Sequence, residues 1–281
     1  MKRFAGVLLI VCLALSGASL FAQETFTLKY GFTKGETYRF REEAAMDQIL
    51  EMMGQEMKTA TKTLFITRIE TEDVMKDGSR VLLVSLDTMS TAVKSSRMDT
   101  TIVMRELVGK RTRITSDALG NILKREIVDT VGSLAEGMAR QMGGRENYRL
   151  HRLSEKPLPI GGTWHSTIVD SFPSGGGATV ARSEIDYTIA GKEPTMGPNV
   201  LKISYSGTSS VKSKQTMMGS DVFTEGNGTT KGAFYFDLVR GLPVQDEGKN
   251  EMELTAALTG AQKMTIPMSQ AGTATRTLIE K

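Results

Sequence analysis

The chain has 281 residues, one cysteine, two histidines and a formal net charge of +3, from 35 Lys and Arg against 32 Asp and Glu. Charges of both signs are interspersed, and the one Arg-rich run, Arg145 to Arg152, has only Tyr148 beside it, so no nucleic-acid partner is expected. After the first 22 residues no apolar run reaches the roughly 20 residues that cross a bilayer as a helix, which excludes a helical membrane protein in the body of the chain.

The first element is a leader. Lys2 and Arg3 precede an apolar stretch from Phe4 to Leu15 and then the small-residue segment Ser16 to Ala22, the order of a secretory signal peptide over residues 1–22 cut after Ala22. A cut after Ala18 is the alternative, and Ser16, Gly17 and Ser19 disfavour an uncleaved anchor. Cys12 follows Val11, whereas a lipoprotein signal needs a small residue there, so it leaves with the leader. The exported chain, periplasmic or extracellular, then has no thiol, which excludes disulfides, thiolate metal sites and cysteine nucleophiles. Its 259 residues carry a net charge of +1, and at that size roughly three quarters of the unfolded surface can be buried.

Alternation with period two dominates the rest. Phe26, Leu28, Tyr30 and Phe32 alternate with polar residues, as do Met252, Leu254, Ala256 and Leu258, and then Met264, Ile266 and Met268, each reading as a strand with one buried face. Turn signals separate such runs, among them Lys34-Gly35, Lys76 to Ser79, Asp117 to Gly120, Pro173 to Gly177 and Arg240-Gly241. Val81 to Ser96 would extend about 50 Å, and strands that long bend, so the expected fold is mainly β: a curved, half-barrel-like antiparallel sheet.

Motifs recur in order. Lys34-Gly35-Glu36-Thr37-Tyr38 is matched by Ile160-Gly161-Gly162-Thr163-Trp164, the Gly78 turn before Val81 to Leu86 by Gly197 before Val200 to Tyr205, Val93-Lys94-Ser95 by Val211-Lys212-Ser213, and Asp117 to Gly120 by Asp237 to Gly241. This spacing predicts two β repeats, 23–126 and 148–281, in one structural unit. Glu42 to Met57 has helix-favouring composition, but its counterpart Thr167 to Arg182 is interrupted by Ser174-Gly175-Gly176-Gly177, so the pattern predicts a hairpin turning at Gly54-Gln55. Between the repeats, over 127–147, Ile127, Val131, Leu134, Met138 and Met142 recur at helical steps before Gly143-Gly144, predicting an amphipathic helix and linker.

Chemistry is sparse. His151 and His165 stand 14 residues apart without a metal-binding spacing, no G-x-S-x-G elbow positions a nucleophile, and the reading is a surface His151 and a strand His165. Neither Gly226 to Lys231 nor Gly109-Lys110 fits a phosphate loop: the first precedes a strand and not a helix, and the second would need glycine where Met104 stands. The exported chain has 16 methionines, whose thioethers suit irregular apolar packing and adaptable ligand walls better than a copper site without concentrated histidine or acidic ligands. No catalytic residue, metal or cofactor is expected. Tyr38 and Trp164 hold equivalent repeat positions, where aromatics pack the start of a long strand.

The G-x-T-Y/W entry, the turn before a Val/Leu run and the later Asp-to-Gly turn resemble an uncharacterised family of exported bacterial β-rich proteins. In layout, long strands with a helix tucked in are similar to half-barrel lipoprotein carriers of acyl chains. The leading expectation is a non-catalytic extracytoplasmic binding protein for a lipid or other apolar ligand, with Val131, Leu134, Met138, Met142, Trp164 and Tyr38 lining its cavity. The alternatives are an envelope scaffold that binds a protein partner through sheet edges, and a hydrolase without a recognisable motif.

Overall fold

A computed structural model describes residues 24–52, 54–130, 132, 150–174, 177–217, 220–259 and 263–280. Among them the chain is mainly strand: β1 (Thr25–Phe26), β2 (Thr37–Met52), β3 (Gln55–Val74), β4 (Arg80–Ser95), β5 (Asp99–Val103), β6 (Arg111–Ser116), β7 (Ile122–Ile127), β8 (Leu158–Pro159), β9 (Thr163–Ser174), β10 (Gly177–Lys192), β11 (Val200–Met217), β12 (Ser220–Asp237), β13 (Leu242–Leu258) and β14 (Met264–Glu280). A single 3₁₀ turn, Arg105–Leu107, is the one helical element described. β1 pairs with β8, and the others form one antiparallel sheet of order β7-β6-β4-β3-β2-β14-β13-β12-β11-β10-β9, with β5 on β4. Its ends, β7 and β9, are not paired to each other among the described residues, so the sheet is not a closed barrel.

The helix-favouring stretch after Tyr38 is strand. β2 and β3 pair without interruption from Thr37 opposite Glu70 to Met52 opposite Gln55, and Gly54 takes the positive φ of 74° that the tight turn demands. Intrinsic preference yields here to pairing on both sides, since β2 is also held by β14. The predicted amphipathic helix requires correction: no α-helix is found among the described residues. Its first apolar residue, Ile127, is the last of β7 and pairs with Thr112, because Asp129 turns back to hold Arg111 through bonds of 2.7 and 3.1 Å. Val131, Leu134, Met138 and Met142 lie outside the described residues.

The matched turns share geometry. Gly35 donates to the Thr71 carbonyl while Thr71 donates to Glu36, and Gly161 donates to Ile189 while Ile189 donates to Gly162, with both glycines at φ 82°. Asp117 accepts from the amides of Leu119 and Asn121, as Asp237 does from those of Val239 and Arg240.

All of these turns lie at one end of the strands, the base, and there the sheet curls. Tyr30 donates its amide to Ala118, in the β6–β7 turn, and the next residue, Gly31, donates to Gly241, in the β12–β13 turn. β6 and β13 are five strands apart in the sheet order, about 24 Å if it were flat. Successive residues of one segment can reach both only if the sheet wraps around it. Phe26, Leu28, Tyr30 and Phe32 form that segment, all buried, with Ile69, Leu82 and Ile114 from one flank and Tyr187, Ile203 and Phe234 from the other. Glycines help the bend: a Cβ added at Gly207, Gly226, Gly228 or Gly232 would lie 2.2–2.5 Å from a carbonyl oxygen of the adjacent strand, so β10 to β13 approach each other more closely on this face than a side chain allows.

Candidate binding face

Core residues identify the inner face of the sheet, and alternation carries that assignment outward along each strand. From Phe40, which is buried, the inner residues of β2 are Glu42, Ala44, Met46, Gln48, Leu50 and Met52, all half-buried, while Arg41, Glu43, Asp47 and Glu51 on the outer face are exposed. β13 repeats the division, with Met252 and Leu254 half-buried inside and Glu251 and Glu253 exposed outside. The strands extend well past the core: ten residues from Glu42 to Met52 span about 33 Å.

Register organises this face into rows. One reads Leu254, Met268, Leu50 and Met57 across β13, β14, β2 and β3; farther from the base Ala256 lies opposite Ile266 and Leu258 opposite Met264. Toward the base, Met252, Gln270, Gln48 and Thr59 form the next row, and the Gln48 amide points to the Met268 sulfur at 4.0 Å. Hydroxyls flank this strip, Thr63 bonded to Thr91 on one side and Thr179 to Ser213 on the other. Beyond the row that holds Glu42, Arg276 and Asp246, no described inner residue of β2, β3, β4 or β10 to β14 is charged, whereas β9 carries the half-buried Asp170 on this face, in the register row of Leu254 and four strands from it.

That row is a polar floor laid on the aromatic core. His151, where the chain returns to the inner face, stacks on Phe234 with centroids 4.2 Å apart and hydrogen-bonds Asp246 at 2.7 Å. The Tyr205 hydroxyl reaches the same carboxylate at 3.4 Å. It can do so because Gly232 and Gly248 carry no side chain: a Cβ on either would lie 2.6 or 2.4 Å from the Tyr205 hydroxyl. Arg276 sits 4.1 Å above the Phe40 ring centroid, opposite Glu42 on one side and Asp246 on the other. Burial pushes the Glu42 carboxyl up, against the opposing pull of Arg276. Burial acts likewise on Asp246, but His151, Arg276 and Tyr205 outweigh it and hold that carboxyl below its ordinary value. Burial also raises the phenols of Tyr187, to about 12, and of Tyr205. The cleft between Tyr30, Phe40, His151, Asp246 and Arg276 offers about 10 Å³, room for roughly one water.

Tyr38 and Trp164 are both at the base. Tyr38 is 1% exposed, edge-on to Phe32 and bonded to Glu36; Trp164 stacks on Tyr187 at 5.0 Å and donates its indole N–H to the Arg152 carbonyl at 2.8 Å. The four residues of the predicted helical stripe lie outside the described residues, so the structure brings none of them to this pair. Sequence reasoning missed the inner rows, although the Met and Leu residues that build them were visible as alternating runs. It also placed His151 on the surface, whereas the ring is packed on Phe234; Asp246, 95 residues away, gave no local signal. His165 is a strand residue as expected, on the outer face of β9, bonded to Asp186 and Glu184 at 2.8 Å each, which raise its pKa. Among the described residues no group of three or more His, Cys, Asp or Glu could hold a metal, and no helix is long and apolar enough to cross a membrane.

No protein-family model and no curated protein matches the chain. Solved structures with some likeness include OccK2 (OpdF) of Pseudomonas aeruginosa in complex with glucuronate, at 5% identity and a TM-score of 0.32, covering 88% of this chain and 100% of that one. OpdQ of the same organism follows at 6% identity and 0.28, over 87% and 100%, and the COG4313 outer membrane channel of Pseudomonas putida F1 at 7% and 0.21, over 88% and 96%. Overlap this low carries no argument about the chain, and the half-barrel carrier layout finds no counterpart among these three.

Proposed function

We propose that the protein is a non-catalytic binding protein, exported by the leader that ends at Ala22, whose inner sheet face holds an elongated, mainly apolar ligand. The observation that carries this reading is the division of charge. On the same strands, over the same length, the outer face carries Glu43, Asp47, Lys58, Lys62, Glu251 and Glu253, while the inner face carries Met, Leu, Thr, Ser, Gly and Gln. A face meant only for water has no reason to differ from its reverse, and thioether side chains adapt to varied apolar shapes. The stripe Val131, Leu134, Met138 and Met142 belongs to this proposal as further ligand contacts, on its spacing alone. Tyr38 and Trp164 enter it as residues that support the face from the base.

Native mass spectrometry of protein purified from its own host should reveal a co-purifying lipid or similar molecule. A fluorescent long-chain probe should bind saturably, and Leu254→Asp or Met268→Asp should weaken binding roughly tenfold or more by placing an unpaired charge against it. Saturable binding that neither variant changes would refute the assignment of the face. A second reading, docking of a protein partner by strand addition, rests on β9, which pairs only with β10 among the described residues.

A further inference from the structure

Resting on the reading of the inner face as the ligand site, we infer that the ligand is an uncharged amphiphile, a chain carrying hydroxyl, ester or amide groups, and not a fatty-acid anion or a cationic lipid. Three observations converge. First, the strip around Leu254, Met268 and Leu50 is half-buried and apolar. Second, the groups bordering it toward the base are neutral hydrogen-bonding ones, Gln48 and Gln270 opposite each other and Asn250 and Thr59 on the strands beside them. These donate and accept to hydroxyls and esters without favouring either sign of charge. Third, the cation nearest this strip among the described inner residues of the central strands is Arg276, six residues below Gln270, roughly 20 Å along β14. It stands between the carboxyls of Glu42 and Asp246, over a cleft too small for a headgroup.

A carboxylate or ammonium drawn onto the strip would therefore lose water and meet no opposite charge among the described inner residues of these central strands, Asp170 standing four strands away on β9, whereas a neutral headgroup would exchange water for amide and hydroxyl partners. The neutrality of the central strands on this face then acts as a selection against charged amphiphiles.

The test uses three fluorescent probes of one chain length, ending in a carboxylate, an ammonium and a hydroxyl, titrated into the mature full-length protein at neutral pH. The alcohol should bind roughly tenfold or more tightly than either ion. Gln270→Lys, and independently Gln48→Lys on the adjacent strand, should selectively tighten the carboxylate probe until it binds at least as well as the alcohol. Thermal melts of both variants check that they fold. Wild-type protein binding the carboxylate or the ammonium as tightly as the alcohol would overturn this inference while leaving the binding face intact. Binding of none of the three would overturn the binding face and the inference with it.

Discussion

Replacing Gly232 by alanine tests the idea that Tyr205 lies across bare glycines to reach the polar floor. The new Cβ would stand 2.2 Å from the Glu247 carbonyl oxygen and 2.6 Å from the Tyr205 ring and hydroxyl, distances real side chains do not tolerate. Overpacking of this kind costs about 1–3 kcal/mol. Loss of the Tyr205 hydrogen bond to Asp246 adds about 1 kcal/mol, and the lower entropy of the unfolded chain returns about 0.4–1 kcal/mol. The expected net loss is therefore about 1–3 kcal/mol, measurable by urea unfolding followed through Trp164, the single tryptophan. The double variant with Tyr205→Leu separates the two collisions, since removing the ring should restore part of the loss. A Gly232→Ala protein within about 0.5 kcal/mol of wild type, or no coupling to Tyr205, would refute the reasoning.

Three further outcomes are expected. Glu42→Gln should raise the urea midpoint at pH 7 and lose that advantage as the pH falls: burial raises the Glu42 pKa in the folded state, so ionisation works against folding once the pH exceeds the unfolded value, and a midpoint unchanged at pH 7 would contradict this. Asp246→Asn should act in the opposite sense, because a carboxyl held down by His151 adds stability that is present above its unfolded pKa and lost as the pH falls through the folded one; a variant as stable as wild type at pH 7 would count against it. In NMR titration His165 should protonate at a higher pH than an ordinary histidine and move down in Asp186→Asn, since Asp186 and then Glu184 hold its charged form; titration at or below the ordinary value would remove their role.

Much of the sheet was legible because the relevant signals are local. Met252 to Leu258 and Met264 to Met268 read as strands and are β13 and β14, and the hairpin at Gly54 followed from its glycine-interrupted counterpart near Pro173. Phe26 to Phe32 shows the limit of alternation. All four apolar residues are buried, yet only Thr25–Phe26 is strand, and the rest crosses the base of the sheet without joining its ladder. Period two reports an extended chain with one buried face and is silent on whether the backbone pairs. The start of the stripe was misread for a related reason: pairing with β6 and the Asp129 bond to Arg111 hold Ile127 in a strand end, while Val131, Leu134, Met138 and Met142 lie outside the described residues. The floor was not legible at all, because His151, Tyr205, Asp246 and Arg276 meet only through the curl of the sheet.

The inner rows and the floor answer different physical demands. At the base aromatic rings pack on one another: Tyr30 stacks on Phe32 at 5.7 Å, Phe32 meets Tyr38, and His151, Tyr187 and Phe234 close on one another. Burial there supplies the stability of the fold. The roughly 33 Å of strand beyond Glu42 add no buried aromatic to that core, while every residue ordered in them costs about 1–2 kcal/mol of backbone entropy, offset mainly by ladder hydrogen bonds and half-buried methionine and leucine. A sheet that needed only to be stable could stop at Phe40. Length carried so far beyond the core, charged on the outer side and uncharged on the inner side of the central strands, is the feature that supports the proposed site for a long, uncharged molecule.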